Sequence, residues 1–183
     1  MFAEADFPWW IAGGYAIELA VGRELRPHGD PDVLVLRRDE ALVRDLLHDW
    51  DMRVVDPPGA GRLRPWRPVE TLEVPLHDHL VQTHTSEAPW LVPLMLDEAE
   101  GAQWVTRRNT GVQLPLARLG RRSPTGITYL APEVRLFYKT KATRDMEETD
   151  FEAVLPLLDE SQRVGLARLI AMTVPAHLWR KRL

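Results

Sequence analysis

The segment from residue 9 to residue 36 constrains the fold of this chain most, because its apolar runs, glycines and carboxylates follow one another in a set order. An apolar run at residues 9–12 leads into the pair Gly13-Gly14, and apolar residues at helical spacing follow over residues 15–25. Two aspartates then stand directly before a second apolar run. The pattern predicts a strand, a glycine turn, a helix, a loop, a carboxylate pair and a buried strand, in that order.

The glycine pair is a candidate phosphate site. At a turn from strand to helix, glycine lets the backbone adopt positive φ and approach a ligand closely, and the free N–H groups of the first helical turn attract phosphate. Gly13 and Gly14 are therefore candidates for binding a triphosphate. The alternative is that the pair forms only a tight turn.

The two aspartates are a candidate metal site. Asp30 and Asp32 are two residues apart, and an extended backbone points such residues to the same side. Adjacent carboxylates repel unless a cation lies between them, and their oxygens suit Mg²⁺ bound together with substrate phosphates. The apolar residues 33–36 predict a buried strand that holds the pair rigidly. The alternative is a solvated Asp-Pro-Asp turn.

Taken together, these motifs resemble those of the nucleotidyltransferase superfamily of the polymerase-β type. The closer resemblance is to the aminoglycoside and lincosamide adenylyltransferase-like proteins, whose pattern runs GGWAL, GR and R-x-H-x-D-x-D-V. The matching residues are Gly13-Gly14-Tyr15-Ala16-Ile17, Gly22-Arg23 and Arg26-Pro27-His28-Gly29-Asp30-Pro31-Asp32-Val33. The likeness continues to Leu155-Pro156-Leu157-Leu158, and so covers nearly the whole chain.

The resemblance implies an α+β fold, in which a mixed sheet is flanked by helices. Residues 1–125 would form the nucleotidyltransferase core, and residues 126–183 a helical region that packs on the core and closes the cleft. The resemblance also implies roles for single residues. Asp30 and Asp32 would be catalytic and hold Mg²⁺, and the nucleotide-binding residues would be Gly13, Gly14, Arg26, His28 and Lys139.

A third carboxylate is harder to assign. Many members of the superfamily carry one on the strand beside the first two, but residues 92–94 are apolar here. Asp97, at the end of the same predicted strand, is the candidate for this catalytic role, and Glu73 or Asp78 are alternatives. If none of these residues acts, the chain lacks the general base.

A second departure from the family pattern is Met146, which stands where the pattern has a lysine.

Residues 62–89 have no clear periodicity, and an irregular loop is the favoured interpretation there. A metal site at His77 and His79, which would share one face of a strand, is the weaker alternative, because the pair lacks a third ligand at a suitable spacing. Residues 120–126 are rich in turn-forming residues and predict a turn.

The composition limits the classes of partner that the chain could bind. The formal net charge of −4 gives no overall attraction to nucleic acid, so we expect no nucleic-acid partner. The absence of cysteine excludes disulfides and thiolate metal sites, and no apolar run approaches the length that spans a membrane. We therefore expect a soluble, cytoplasmic protein without a membrane partner.

The sequence thus predicts a metal-dependent nucleotidyltransferase, which transfers AMP from ATP, or another nucleoside monophosphate, to a hydroxyl of a small acceptor. An aminoglycoside-like antibiotic is the acceptor that the resemblance implies. One alternative is a non-catalytic relative that binds a nucleotide or a partner, and another is a toxin-type enzyme that acts on tRNA or protein. A basic cleft would favour the toxin-type enzyme, and an acidic cleft would favour a cationic small molecule.

Overall fold

The computed structural model describes residues 2–58, 62–83, 91–106 and 108–183, and for residues 78–83 and 91 only the backbone. The strands are β1 (Trp9–Ile11), β2 (Val33–Leu36), β3 (Trp50–Val55), β4 (Leu63–Pro65), β5 (Asp78–Thr83), β6 (Leu91–Glu100), β7 (Gln103–Val105), β8 (Gln113–Pro115), β9 (Gly120–Arg122) and β10 (Thr128–Leu130). The helices are α1 (Gly13–Val21), α2 (Glu40–Leu46), α3 (Pro132–Lys139), α4 (Asp145–Val154) and α5 (Glu160–Thr173). Short 3-10 helices lie at Phe2–Glu4, Arg37–Asp39, Leu116–Arg118, Leu155–Leu157 and Leu178–Lys181.

The strands form one mixed sheet in the order β4-β3-β5-β6-β2-β1-β10-β9, and β7 and β8 extend it from the far end of β6. The β1–β10 and β2–β6 pairs are parallel, and the other pairs are antiparallel. This mixed sheet with flanking helices confirms the predicted fold class. None of the helices in the described ranges is long and apolar enough to cross a bilayer.

Strand β2 lies near the middle of the sheet, and all four of its residues are buried. Leu34 and Leu36 belong to the core that α1, α3, α4 and α5 cover, whereas Val33 and Val35 belong to the core under α2. Because successive side chains of a strand point to opposite faces, a strand buried on both faces needs an unbroken apolar run. This is why residues 33–36 show no polar alternation.

Helix α1 is shorter than predicted. Residues 15–25 have helical spacing, but the helix ends at Val21, where Gly22 adopts the left-handed conformation with φ +77° and donates its N–H to the carbonyl of Glu18. A glycine in this conformation is a common helix terminator. The backbone N–H groups of Leu25 and Arg26 then donate to the carboxylate of Glu18, at 2.7 and 3.2 Å. This hydrogen bonding turns the chain back along α1 towards Asp30.

Two regions that the sequence predicted to be irregular contain strands. Residues 62–89 include β4 and also β5, which lies inside the sheet between β3 and β6. Residues 120–126 are not a turn alone, since β9 and β10 pair as a hairpin around Gly126. Strand β10 lies beyond the predicted boundary at residue 125 and pairs with β1. The division of the chain into two regions stays a prediction.

Candidate active site

The structure brings Gly13 and Asp32 together at the start of α1. Gly13 has φ +62°, and a Cβ atom added there would lie 2.1 Å from Oδ2 of Asp32. The backbone N–H of Ala12 donates to the carbonyl of Asp32 at 2.8 Å, which fixes the two segments against each other. Only glycine allows both this backbone conformation and this approach of the carboxylate. Asp30 lies two residues earlier, in an exposed bend.

Gly14 has a similar relation to His28. A Cβ atom added to Gly14 would lie 1.9 Å from Cε1 of the imidazole. The Arg26 guanidinium lies 2.6 Å from Nδ1 of His28, and the carboxylate of Glu18 lies 2.9 Å from Nε2. Because arginine only donates, Nδ1 accepts, and the ring hydrogen on Nε2 points to Glu18. Both glycines therefore leave room for side chains of the motif at residues 26–33.

Glu18 supports this arrangement from α1. Burial alone would raise its pKa, but the hydrogen bonds from the backbone of Leu25 and Arg26 and the contact with His28 hold the pKa of Glu18 below its usual value. An ionised Glu18 is the acceptor that positions His28 over Gly14. The predicted nucleotide-binding residue His28 thus lies at the first turn of α1, and its contact with a nucleotide stays a prediction.

Lys139 and Arg26 meet at Asp150 on α4. The Nζ atom of Lys139 lies 2.7 Å from Oδ2 of Asp150, and Nη2 of Arg26 lies 3.0 Å from the same oxygen. Lys139 is only 6% exposed, and burial together with the charge of Arg135 lowers its pKa. The structure therefore joins α3, α4 and the loop before Asp30 through one carboxylate. A nucleotide contact by Lys139 or Arg26 stays a prediction.

Arg135 on α3 was not identified from the sequence. Its Nε donates to the carbonyl of Gly13 at 2.9 Å. Burial lowers the pKa of Arg135, while the charges of Asp32 and Asp150 act in the opposite direction. A guanidinium therefore lies at the glycine turn and near the carboxylate. The available signal was its position four residues before Lys139, since residues at this spacing share one face of a helix.

Asp97 lies elsewhere. In the parallel β2–β6 register Leu36 pairs with Asp97, so that Asp32 falls level with Pro93, about 13 Å before Asp97 at the usual rise of a strand. Asp97 is 0% exposed, and its Oδ2 accepts hydrogen bonds from the indole of Trp104, at 2.6 Å, and from the hydroxyl of Tyr138. The structure does not bring Asp97 to the carboxylate pair, and instead gives it two aromatic partners.

Glu73 and Asp78, the alternative candidates for the third carboxylate, are not shown near Asp30 and Asp32 either. Glu73 lies near Glu40 at the start of α2, and it contributes to raising the pKa of Glu40, which burial raises most. The backbone of Asp78 pairs with Met95, but its side chain lies outside the described residues, as do the side chain of His79 and all of His84.

Asp30 and Asp32 are the residues to consider for a metal. In the described part of the chain, histidines, aspartates and glutamates form no cluster of three or more that would hold an ion. Mg²⁺ does not need such a cluster, because it keeps several waters and is commonly bound by one or two carboxylates plus substrate phosphates. Asp32 lies beside the glycine turn and Asp30 two residues before it, so the two carboxylates fit Mg²⁺ that binds together with a nucleotide.

Two adjoining cavities lie between α3, β2, β6 and residues 74–77, and we call them together the basic groove. The first has a volume of about 220 Å³ and is lined by Leu34, His77, Met95, Arg108, Leu130, Arg135, Tyr138 and Lys141. The second, of about 270 Å³, is lined by Arg37, Val74, Pro75, His77, Glu98, Arg108, Tyr138 and Lys141. A larger cavity, of about 440 Å³, lies between α2 and the β3–β4 hairpin, and none of the predicted site residues lines it.

Residues 1–60 match the model of a family described as aminoglycoside-2''-adenylyltransferase. The match spans β1, α1 and β2, and therefore includes the glycine pair and both aspartates. A sequence search of curated proteins found no match.

Solved structures of antibiotic-modifying enzymes share the fold. The lincosamide antibiotic adenylyltransferase LnuA, with lincomycin bound, gives a TM-score of 0.57 at 13% identity, over 86% of this chain and 91% of that one. ANT(2")-Ia in complex with adenylyl-2"-tobramycin gives 0.55 at 15% identity, over 93% and 91%. A solution structure of ANT(2")-Ia, an antibiotic-resistance factor, gives 0.55 at 16% identity, over 100% and 92%. The predicted resemblance to aminoglycoside and lincosamide adenylyltransferases is confirmed in sequence over residues 1–60 and in fold over most of the chain.

Proposed function

Since the chain has the nucleotidyltransferase fold, we propose that it transfers a nucleoside monophosphate from a nucleoside triphosphate, with ATP the expected donor, to a hydroxyl of a small acceptor. The observation that carries the proposal is the meeting of three groups at one turn. The carboxylate of Asp32 lies against Gly13, and Arg135 donates to the carbonyl of the same glycine. A metal-binding carboxylate, a helix N-terminus and a cation suit a triphosphate together.

The residues divide the chemistry between them. The free N–H groups at the start of α1, beside Gly13 and Gly14, bind the terminal phosphates, and Arg135 adds positive charge at the same turn. Asp30 and Asp32 would hold Mg²⁺, which when bound neutralises charge on the transferring group and activates the nucleophile.

The transfer is a single displacement. The acceptor oxygen forms a bond to the α-phosphorus, and the bond from that phosphorus to the oxygen bridging the α- and β-phosphates breaks. Pyrophosphate leaves with the bridging oxygen, and the hydroxyl proton passes to solvent. The chain's part in this step is to position the reactants and to stabilise the charge.

A second function is favoured by a specific observation. The position level with Asp32 on β6 is Pro93, and Asp97 is buried against Trp104 and Tyr138. A relative that binds a nucleotide without transferring it would have no need of a carboxylate at this level. The two functions predict the same nucleotide binding and differ in the release of pyrophosphate.

The test is calorimetric titration with ATP, with and without Mg²⁺, on the wild type and on the double variant Asp30→Ala/Asp32→Ala. We expect Mg²⁺-dependent binding that falls by about 100-fold or more in the double variant. The matched control removes two exposed carboxylates outside the site, Asp49→Ala/Glu152→Ala, and should stay within about twofold of the wild type.

The outcomes separate the functions. Failure of the wild type to bind ATP under either condition contradicts the proposal. Binding together with pyrophosphate release in the presence of a hydroxyl compound supports transfer. Binding without release from a broad panel of hydroxyl compounds favours the non-catalytic relative.

A further inference from the structure

Arg26 connects the buried carboxylate of Asp150 to the ring of His28. Its Nη2 atom donates to Oδ2 of Asp150 at 3.0 Å, and its Nη1 atom lies 2.6 Å from Nδ1 of His28. The Nε atom of Arg26 is also buried, and in the described part of the chain it has no hydrogen-bond partner. The two Nη atoms therefore orient this side chain, and each is bound to a different partner.

Asp150 is held in place independently of the loop that carries Arg26. Its side chain is 1% exposed on α4, whereas that of Arg26 is 24% exposed. Lys139 on α3 lies 2.7 Å from the same oxygen of Asp150, and the next residue of α4, Phe151, is fully buried in the core. The carboxylate is therefore a rigid point on the packed helices, to which the more exposed loop is attached through Arg26.

His28 extends this connection to the glycine turn. Its ring lies against Gly14, and its Nε2 donates to the carboxylate of Glu18 at 2.9 Å while Nδ1 accepts from Arg26. A ring bound at both nitrogens has one orientation and one tautomer. Asp30 lies two residues after His28, so the same contacts restrain the segment that carries the predicted metal-binding carboxylates.

We propose that Asp150 is a positioning residue for the nucleotide, which acts by holding His28 in place through Arg26. The ring then keeps its place against Gly14, and residues 28–32 keep the geometry that binds Mg²⁺ and the triphosphate. This inference rests on the proposed function, because it concerns the donor nucleotide at that same site. The opposing role for Asp150 is purely structural: it would join α3 to α4 through Lys139 and leave the affinity for a nucleotide unchanged.

The first test measures the affinity for Mg²⁺-ATP by calorimetry. Asp150→Ala removes the acceptor of Arg26, and Arg26→Lys keeps a positive charge that cannot bridge to both Asp150 and His28. We expect each variant to bind about tenfold more weakly than the wild type. The double variant should bind no more weakly than the weaker single variant, because both changes break the same connection.

Glu148→Ala is the matched control on the same helix. The carboxylate of Glu148 accepts a hydrogen bond from the indole of Trp179, at 2.7 Å, and pairs with Arg182, so that it joins α4 to the last 3-10 helix. Its loss should leave the affinity for Mg²⁺-ATP within about twofold of the wild type. An equal loss of affinity in this control and in Asp150→Ala would contradict the inference, since the cause would then be a general loosening of α4.

The second test observes the ring of His28 in the protein without nucleotide. In ¹⁵N spectra of histidine side chains, a ring nitrogen that accepts a hydrogen bond resonates upfield of one that does not. We expect the Nδ1 resonance of His28, assigned by its absence from His28→Gln, to move downfield in Asp150→Ala and to stay in place in Glu148→Ala. A purely structural role for Asp150 would leave this resonance where it is in the wild type.

A second variant keeps both tests decisive. If Asp150→Ala does not fold, because it leaves Lys139 buried without its closest partner, Lys139→Met/Asp150→Ala removes both charges. The affinity and the His28 resonance of this double variant are then compared with those of Lys139→Met alone.

The outcomes separate this inference from the proposed function. The inference is wrong if Asp150→Ala or Arg26→Lys binds Mg²⁺-ATP as tightly as the wild type, or if their losses add in the double variant. It is also wrong if the His28 resonance does not move. If the wild type does not bind ATP, the proposed function fails, and the His28 resonance still decides whether Asp150 positions the ring.

Discussion

Asp32 and Asp97 are associated with neighbouring parallel strands and face the same side of the sheet, yet their surroundings are opposite. Asp32 precedes β2, is partly exposed and lies against the first residue of α1. Asp97 lies within β6, four residues beyond the level of Asp32, and is enclosed by Trp104 and Tyr138. The level of a carboxylate along these strands therefore decides its surroundings. Asp32, just before the start of β2, reaches the N-terminus of α1. Asp97, further along β6, is covered by α3.

The same contrast holds for two cations on α3. Arg135 and Lys139 are four residues apart and share a face of the helix. Arg135 reaches the glycine turn, whereas Lys139 lies in a buried ion pair with Asp150. One turn of helix therefore separates a residue that can contact a ligand at Gly13 from one that connects α3 to α4.

Gly13→Ala tests the role of Asp32, and we expect it to have the largest effect on nucleotide affinity. The new Cβ would lie 2.1 Å from the Asp32 carboxylate, in a backbone conformation with φ +62°. The carboxylate must move, and we expect the affinity for Mg²⁺-ATP to fall on the order of 100-fold. The strained backbone should also cost about 1–2 kcal/mol of the free energy of unfolding. Calorimetry and urea denaturation measure the two effects.

Gly22→Ala is the matched control for this variant. Gly22 has φ +77°, and a Cβ there would meet no atom within 4 Å. The control should therefore show a similar loss of stability and an unchanged affinity for ATP. If both variants lose affinity equally, the effect at Gly13 is one of general stability and not of displacing Asp32.

A smaller effect, on stability alone, is expected from Asp97→Asn. The amide keeps the shape but has one acceptor oxygen where the carboxyl group has two, which weakens the hydrogen bonding with Trp104 and Tyr138 at a cost of about 1–3 kcal/mol in the free energy of unfolding. The rate of transfer by the folded protein should change less than about threefold. Glu100→Gln, at the exposed end of the same strand, should cost less than about 0.5 kcal/mol. A 100-fold loss of transfer with unchanged stability would instead support the catalytic role predicted from the sequence.

Much of the fold was predictable because its signals are local. The apolar run at residues 33–36 and the glycine pair each depend on neighbours in the sequence, and each lies where predicted. Strand β5 was not predicted, because its place between β3 and β6 depends on partners distant in sequence. Propensity is a weak guide to such a strand.

The candidate site was predictable only in part, for a similar reason. Spacing alone pointed to Gly13, Gly14 and Asp32, and the structure brings Gly13 and Asp32 into contact. The contact between Arg135 and Gly13 joins residues 122 positions apart, and the spacing of Arg135 from Lys139 indicates a shared helix face but not this partner. The position of Asp97 depends on the β2–β6 register, which the sequence does not give.

The smallest effect is expected at Glu147, a carboxylate on α4 that stabilises the fold through Arg144. Hydrogen bonds from the side chain and the backbone of Arg144, at 2.8 to 3.1 Å, hold the pKa of Glu147 at about 2, below its ordinary value of 4.5. The unfolded chain therefore binds more protons between these values, and the contribution of Glu147 to stability is complete above pH 4.5 and is lost as the pH falls towards 2. Because Arg144 is exposed, we expect Glu147→Gln to lower the free energy of unfolding at pH 7 by only about 1 kcal/mol. The difference from the wild type should shrink as the pH falls below 4.5 and vanish below about pH 2 in denaturation experiments. A difference that persists undiminished below pH 2 would show that the residue stabilises the fold by packing and not by its charge.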